Sequence, residues 1–318
     1  MSRNHSVTKL IALLCALVAG TAEAVQRAHV ASYGLDANTS FSCSVANPCR
    51  FFQAATTVVD PNGEVVVLDS AGYGAVILTQ SISLVAPSGV YAGISVFPGA
   101  TGITIATAGI KVVLRGLTIN SQGGSVGVLM TAGDSLSIEN SVISNFFNGN
   151  GILVDTPAKV SVIDTVLRNN ISGILVQGGA VADISRASIH AAAGGSGIQI
   201  YGVTPGTVTT AVISDSTISF NVPLSSGSIG IHAYSTVSNA NVRVAVIRSA
   251  VADGSHGIVS QAGPSGFTLL AVSKSMATGN AFGFFQSGAS AFFETLGNNT
   301  VQQNTNNSSG TITAVTPL

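Results

Sequence analysis

The chain has 318 residues, of which 46% are hydrophobic and only 8% are charged, and its formal net charge is −1. Soluble domains carry about a quarter charged residues on average. A near-neutral chain without a basic cluster excludes nucleic acid and anionic membrane surfaces as expected partners. Beyond residue 24, apolar residues come in short runs far below the roughly 20 that a membrane-spanning helix needs.

The first segment, residues 1–24, has the organisation of a secretory signal peptide. Two basic residues, Arg3 and Lys9, precede an apolar run that begins at Leu10, and an Ala-Glu-Ala cleavage pattern ends at Ala24. Such a leader is removed on export. We therefore predict cleavage after about Ala24 and a secreted or periplasmic protein.

Two cysteines remain after this cleavage. Cys43 and Cys49 flank a short segment that contains Asn and Pro. An exported protein meets an oxidising compartment, so the pair predicts a local disulfide. A structural zinc site needs about four ligands, and no histidine accompanies these two cysteines. We expect neither a metal nor a cofactor.

A short phrase made of glycine and an aliphatic residue recurs along the chain. Its spacings are 24, 22, 24, 33, 27 and 26 residues. A period that varies by insertion is typical of a solenoid whose loops project from one edge. The phrase begins at Gly127, Gly151, Gly173, Gly197, Gly230, Gly257 and Gly283.

A second phrase lies between the copies of the first, and its fourth position is mostly aliphatic. Its first position alternates in charge over much of the chain, so each charge is expected one turn from an opposite partner. We interpret these charges as structural ion pairs rather than as a paired-carboxylate site. The first positions are Asn140, Asp164, Arg186, Asp215, Arg248, Lys274 and Asn298.

One helix is expected, near the start of the mature chain. Asn47 can cap it, Pro48 suits its first position, and the apolar residues that follow extend to Val58. An amphipathic helix here would cover the open end of a solenoid. We therefore divide the chain into an N-terminal cap at 25–63, a coil of short strands at 64–304 and a C-terminal tail or cap at 305–318.

This order of elements, a cap helix, the β-rich stretch Gly63–Gly74 and then glycine–aliphatic turns, resembles the pectate-lyase-like superfamily. The resemblance covers roughly Val30 to Asn304 and is greatest to exported, largely uncharacterised bacterial members. It implies an all-β fold, a single-stranded right-handed parallel β-helix solenoid with a short N-terminal capping helix. It is not specific for activity, because this superfamily includes lyases, hydrolases, esterases, tailspikes and adhesins.

The first phrase also predicts a row of outward-facing side chains. Alternate residues of a strand face opposite sides of a sheet, and stacked strands lie about 4.8 Å apart. Aromatic rings can stack on sugars, and amides, carboxylates and imidazoles can bond sugar hydroxyls. In the enzymes of the superfamily that this chain resembles, the substrate cleft commonly lies on this sheet. The sequence thus predicts a polysaccharide or cell-surface glycan as the partner of a monomer, although an ordinary solvated ladder gives the same pattern. The predicted binding residues are Asp155, Gln177, Gln199, Tyr201, His232, Tyr234 and Gln261.

No convincing catalytic set emerges from the sequence. Glycosidic hydrolysis uses two carboxylates about 5–10 Å apart, whereas the carboxylates here are spread nearly singly. The weak catalytic candidates are Asp155, His232, Asp253 and His256, with His190 as a further residue that could flank the cleft. Two alternatives stay open: a lyase or glycoside hydrolase that acts on acidic or plant-type polysaccharide, and a structural or adhesive spacer.

Several loops are longer than the regular period allows, and they contain phenylalanines. Phe146, Phe147 and Phe220 lie in such insertions. Functional contacts concentrate on loops of this kind. Each ring can either face solvent as a binding contact or fill space beneath its own loop, and the sequence favours neither.

Overall fold

A computed structural model describes residues 25–191, 194–220, 224 and 226–316. The signal peptide predicted for residues 1–24, with its cleavage after Ala24, lies outside the described residues. Within them the chain folds into three parallel sheets, which it visits in a fixed order on every turn. The predicted parallel β-solenoid is confirmed. No helix in the described part of the chain has the length and apolar character that crossing a bilayer requires.

Sheet I carries the first repeated phrase. Strand pairing places Ile152, Ile174 and Ile198 in register, one above the other inside the coil. A glycine precedes each of them because the backbones of neighbouring turns approach closely there. A Cβ on Gly197 would lie 2.8 Å from the carbonyl oxygen of Gly230 in the next turn. The described strands of sheet I are Val76–Leu78, Thr101–Ala106, Val126–Ala132, Asn150–Asp155, Ser172–Gln177, Ser196–Gly202, Ile229–Ser235, His256–Ala262, Phe282–Ser287 and Asn306–Ser309.

Sheet II follows sheet I in each turn. Its first strand, Arg27–Val30, pairs with Gly63–Val67, so the predicted N-terminal cap contributes a strand to the sheet. Its last strand, Ile312–Ala314, extends the sheet into the segment that was expected to be a tail or cap. The described strands between them are Ile82–Val85, Lys111–Arg115, Ser135–Glu139, Lys159–Ile163, Val181–Ser185, Val208–Ser214, Asn241–Ile247, Phe267–Ser273 and Ala291–Thr295.

Sheet III carries the second phrase. Its aliphatic fourth positions stack in register, as Ile143, Leu167 and Ile189 show, and these side chains are fully buried. The described strands are Ala71–Gly72, Ala92–Val96, Leu117–Ser121, Val142–Ser144, Val166–Arg168, Ser188–Ala191, Thr217–Phe220, Ala250–Ala252, Met276–Thr278 and Thr300–Gln302.

The corner between sheets II and III turns through left-handed backbone. The first residue of the second phrase occupies this conformation in six of its seven copies, with φ of 49° at Asn140 and 51° at Asp215, and at Asn298 the preceding Gly297 occupies it instead, with φ of 74°. The next residue is often a buried Ser or Thr, and its hydroxyl joins neighbouring turns: the Ser216 amide donates to Ser249 Oγ at 3.2 Å, and the Ser249 amide donates to Ser275 Oγ at 3.2 Å. We call Ser141, Thr165, Ser216, Ser249 and Ser275 the hydroxyl ladder.

The N-terminal helix is shorter than the sequence predicts. A 3₁₀ helix spans Asp36–Phe41, and helix α1 is the single turn Phe52–Ala55. The helix does not begin at Pro48 because the backbone there bonds to sheet II instead: the Cys49 amide donates to the His29 carbonyl at 2.9 Å. That this segment closes the end of the coil stays a prediction.

The predicted disulfide is confirmed. Cys43 and Cys49 are bonded, with their Cα atoms 5.0 Å apart, and both are fully buried. A short closed loop removes conformational freedom from the unfolded chain. The disulfide therefore stabilises the segment that precedes α1, and it is typical of a protein in an extracellular or periplasmic compartment.

Candidate functional site

The outward row predicted on sheet I is present as two segments. Asp155 lies in register with Gln177, and Tyr201, Tyr234 and Gln261 lie in register with one another. Pairing between these two groups ends at Val176 and Ile200, one position short of joining Gln177 to Tyr201. The predicted outward-facing row is therefore interrupted after Gln177. There the chain turns at glycines, while the next strand continues.

Three rings of the second segment stack on one another. Tyr201 and Tyr234 have ring centroids 5.0 Å apart and an interplanar angle of 14°. His232 and Tyr234 are 4.9 Å apart at 16°. His232 and Tyr201 do not form a stacked pair with each other among the described aromatic contacts, so both are joined through Tyr234. We call Tyr201, Tyr234 and His232 the ring column.

The ring column presents its groups differently from an isolated aromatic side chain. Tyr234 stacks on both other rings of the column. Tyr201 stacks on one side only, and its hydroxyl lies 3.4 Å from Thr236 Oγ1. Both tyrosines are partly exposed. The column can thus offer aromatic surface and tyrosine hydroxyls to a ligand.

His232 is the buried member of the column. It is 6% exposed, although it points away from the core of the coil. Its Nε2 lies 3.1 Å from Gln261 Oε1, so the tautomer with a proton on Nε2 donates to this amide oxygen. Burial lowers the pKa of His232 to about 4, and the nearby His256 acts in the same direction, whereas the bond to Gln261 opposes it. The imidazole is therefore neutral at neutral pH.

His256 is enclosed by phenylalanines on the neighbouring strand. Its ring stacks on Phe282 at 5.0 Å and meets the edge of Phe285 at 4.8 Å. Its Nδ1 is buried without a hydrogen-bond partner among the described residues. Burial lowers the pKa of His256. This histidine is held by apolar contacts at the edge of the predicted surface.

The other weak catalytic candidates do not join these histidines. Asp155 and Asp253 are exposed, and Asp253 lies in a left-handed turn with φ of 63°. No hydrogen bond or ion pair among the described residues connects a carboxylate to His232 or His256. Nor do the described residues bring three His, Cys, Asp or Glu side chains together in a group that could hold a metal.

His190 lies on a different face of the coil. It belongs to sheet III, where its Nδ1 is 2.7 Å from Ser219 Oγ and its Nε2 is 3.4 Å from Ser188 Oγ. The sequence left open a shared cleft of His190, His232 and His256, and the structure places His190 on sheet III and the other two histidines on sheet I. The sequence carried a signal for this separation, because His190 directly follows a copy of the second phrase that begins at Arg186, whereas His232 lies within a copy of the first phrase.

The charged corner, formed by the first positions of the second phrase, contains bidentate ion pairs. Arg186 donates to both carboxylate oxygens of Asp164 at 2.7 and 2.8 Å. Arg248 makes the same two bonds to Asp215. Each arginine lowers the pKa of its aspartate. A shallow groove of about 310 Å³ runs along the corner beside Arg248 and Lys274.

The loop phenylalanines divide between interior and surface. Phe146 and Phe220 are buried beneath their loops, whereas Phe147 is 59% exposed. Sequence reasoning did not single out Phe97, which is 61% exposed. The sequence did carry a signal for its exposure. Phe97 directly follows a strand that ends in alternating apolar and polar residues, at the position that Gln122 occupies in the next turn.

Comparisons with known proteins add a likeness in fold. No family model matches the chain, and no curated protein matches it either. One similar solved structure is a pectate lyase. The crystal structure of pectate lyase Pel9A is 14% identical, with a TM-score of 0.49 over 92% of this chain and 78% of that chain.

Proposed function

We propose that this protein is exported and binds polysaccharide along the outer face of sheet I. The observation that supports the proposal is the ring column with its flanking amides, a strip of aromatic and polar groups on the outer face of a parallel sheet, in which both tyrosines are partly exposed. From the strand of Asp155 to the strand of Gln261 the strip includes five strands, and the four spacings between them amount to about 19 Å. That length fits a short run of linked sugars.

The chemistry of the strip suits hydroxyl-rich ligands. Gln199 and Gln261 are partly exposed on either side of the ring column, and an amide can donate and accept at once. Tyrosine combines an apolar ring with a polar hydroxyl. The neutral His232 supplies no charge, and Asp155 is separated from the rings by the break after Gln177. The strip therefore favours sugars that are recognised by hydrogen bonds and ring contacts.

Binding without turnover is the form of the proposal that the geometry favours. Lyase and hydrolase chemistry needs charged or ionisable groups held against the substrate. The buried His232 resists protonation, and His256 is enclosed by phenylalanines. The partner is thus a polysaccharide or a cell-surface glycan that is held rather than cleaved.

The test uses the full exported chain and compares matched tyrosines. We expect Tyr201→Ala and Tyr201→Ala/Tyr234→Ala to weaken binding about tenfold or more to the polysaccharides that retard the native protein in affinity gels. The control is Tyr33→Ala, because Tyr33 is 67% exposed but lies near the N-terminal end.

Unchanged retardation of the double variant would overturn the proposal. Equal loss in the Tyr33→Ala control would count against it as well, since the effect would not be specific to sheet I. Release of shortened products during the same experiment would show that the chain is an enzyme, and the alternative of a lyase or hydrolase would then replace binding alone.

A further inference from the structure

A second surface lies at the corner between sheets III and I, several turns closer to the N-terminus. Phe97 is 61% exposed and Phe147 is 59% exposed. Neither ring takes part in the aromatic pairs of the described residues. Their apolar faces are therefore not used by aromatic neighbours, in contrast to that of Tyr234.

The two rings are held two turns apart. Phe97 directly follows the strand Ala92–Val96, and Phe147 follows Val142–Ser144, with Leu117–Ser121 paired between them. Two turns of the coil correspond to about 10 Å. Along the axis this is close to the length of two linked pyranose rings.

The turn between the rings has almost no side chain at its tip. Gly123 and Gly124 occupy it, and both are packed down on the preceding turn: a Cβ on Gly124 would lie 2.4 Å from Val96 Cγ1, and one on Gly123 would lie 2.9 Å from Pro98 Cγ. The low loop and the higher loop that carries Phe147 line a groove of about 320 Å³, and Phe97 lies one turn closer to the N-terminus, outside this lining.

The groove is built and rigid. The amides of Gln122 and Gly124 both donate to the Val96 carbonyl, at 2.7 and 3.1 Å. Ser121 Oγ donates to the Gly124 carbonyl at 2.8 Å. A fixed loop loses little conformational freedom when a ligand binds.

The polar groups that line the groove are uncharged. They are hydroxyls and amides, with Gln122, Asn145 and Asn148 beside Phe147. Asn145 is oriented by its neighbours, because its Nδ2 donates to Asn120 Oδ1 at 2.6 Å and its Oδ1 accepts from Asn169 Nδ2 at 3.0 Å. Among the described residues, the side chains of Gln122 and Asn148 make no hydrogen bond within the protein, so their amides can bond a ligand.

We propose that this corner is a second glycan-binding site, specific for neutral oligosaccharides of at least two pyranose units. Phe147 stacks against one sugar ring inside the groove, Phe97 stacks against the next sugar ring beyond the N-terminal edge of the groove, and Gln122 and Asn148 bond the hydroxyls between them. A carboxylated or sulfated sugar has no counter-charge in the groove and would lose hydration without compensation. The site is separate from the ring column on sheet I.

The experiment measures binding by the full exported chain with calorimetry, using neutral glucan, xylan and mannan oligosaccharides of two to six units and a uronate oligosaccharide of the same lengths. We expect binding of a neutral series, weaker binding of the uronate series, and a loss of about tenfold for each of Phe97→Ala and Phe147→Ala. Gln122→Ala should weaken binding less than either.

Two matched controls separate this site from general loss of apolar surface. Phe41→Ala and Phe292→Ala remove rings that are 60% and 48% exposed elsewhere and should leave binding unchanged. Native binding by Phe97→Ala/Phe147→Ala, equal losses in the controls, or no neutral oligosaccharide bound by the native chain would each overturn the proposal. A protein partner captured only through these rings would overturn it too.

The same series distinguishes the two surfaces. If Tyr201→Ala/Tyr234→Ala abolishes polysaccharide retardation while short neutral oligosaccharides still bind, both sites exist. If the tyrosine variant has no effect but the phenylalanine variant does, the proposal for sheet I fails and the corner site stands.

Discussion

Two outward-facing surfaces repeat along the same coil, and they differ in their surroundings. On sheet I, neighbouring rings cover His232 until it is 6% exposed. At the charged corner, the ion pairs of Arg186 and Arg248 stay open to solvent, with the arginine side chains 55% and 54% exposed. Water screens exposed charges, whereas a buried polar group has no such compensation. The repeat determines which side chains align along the coil, and burial determines how strongly each of them affects stability.

The largest predicted effect that tests this contrast is the pH dependence of stability that His232 contributes. Burial lowers the pKa of its folded form to about 4, from 6.5. Between these values the unfolded chain binds a proton that the folded chain does not, so stability falls as pH falls through this window. We expect His232 to contribute a loss of about 2–3 kcal/mol at pH 4.5 relative to pH 7.5, and denaturant unfolding at both values measures it.

The matched comparison for this prediction is His232→Gln, which keeps a polar side chain near Gln261 without a titrating ring. Its stability should depend less on pH, whereas the exposed His190→Gln should behave as the native chain. Parallel pH profiles of the native chain and His232→Gln would contradict the prediction.

A smaller effect is expected beneath the charged corner, in the hydroxyl ladder. Ser249→Ala removes the acceptor of the Ser216 amide, a buried group that nothing else then bonds. A buried donor without a partner costs about 1–2 kcal/mol. Ser161→Ala, on the outer face of sheet II, is the control. Equal stability of Ser249→Ala and the native chain would show that water replaces the hydroxyl.

The ring column should show a modest stability effect of its own. Tyr201→Leu keeps an apolar side chain but loses the stack on Tyr234 at 5.0 Å. Aromatic pairs contribute about 0.5–1.5 kcal/mol beyond area burial. Thermal unfolding of Tyr201→Leu against Tyr33→Leu measures this. A larger loss in Tyr33→Leu would mean that the column is not a stabilising unit.

The smallest effect on stability is expected at the charged corner, although its ion pairs are bidentate. Asp215→Asn and Arg248→Gln each break a bidentate ion pair, yet both partners face solvent, where salt and water weaken their attraction. We expect no measurable change in the unfolding temperature at physiological salt. A clear drop that disappears in 1 M salt would show that this corner acts as a coupled network.

The sequence predicted much of the architecture and less of the site. The phrases at Gly151 and Gly173 predicted stacked strands, and pairing of Ile152 with Ile174 confirms their register. Pro48 misled the helix prediction, because its helix-starting preference is local and the amide of Cys49 bonds to a strand that is distant along the chain. Long-range pairing overrode a local signal there.

The candidate surface shows the same division. Alternation correctly predicted that Tyr201 and Tyr234 align, since side-chain direction follows from strand geometry alone. It could not predict that His232 is buried on an outward face, nor that Phe147 is exposed while Phe146 is not. These depend on which side chains from other turns lie against them.

By itself, the sequence determined the coil, through glycine where turns approach closely and aliphatic residues where turns stack. It also determined the disulfide between Cys43 and Cys49. These features are periodic or local, so they can be read along one chain. The tertiary structure alone decided that the ring column stacks on itself, that His232 is buried on an outward face, and that Phe147 lines a groove at a glycine turn. Such relations arise between turns of the coil, where the intervening loop lengths and the packing of neighbours set the distances.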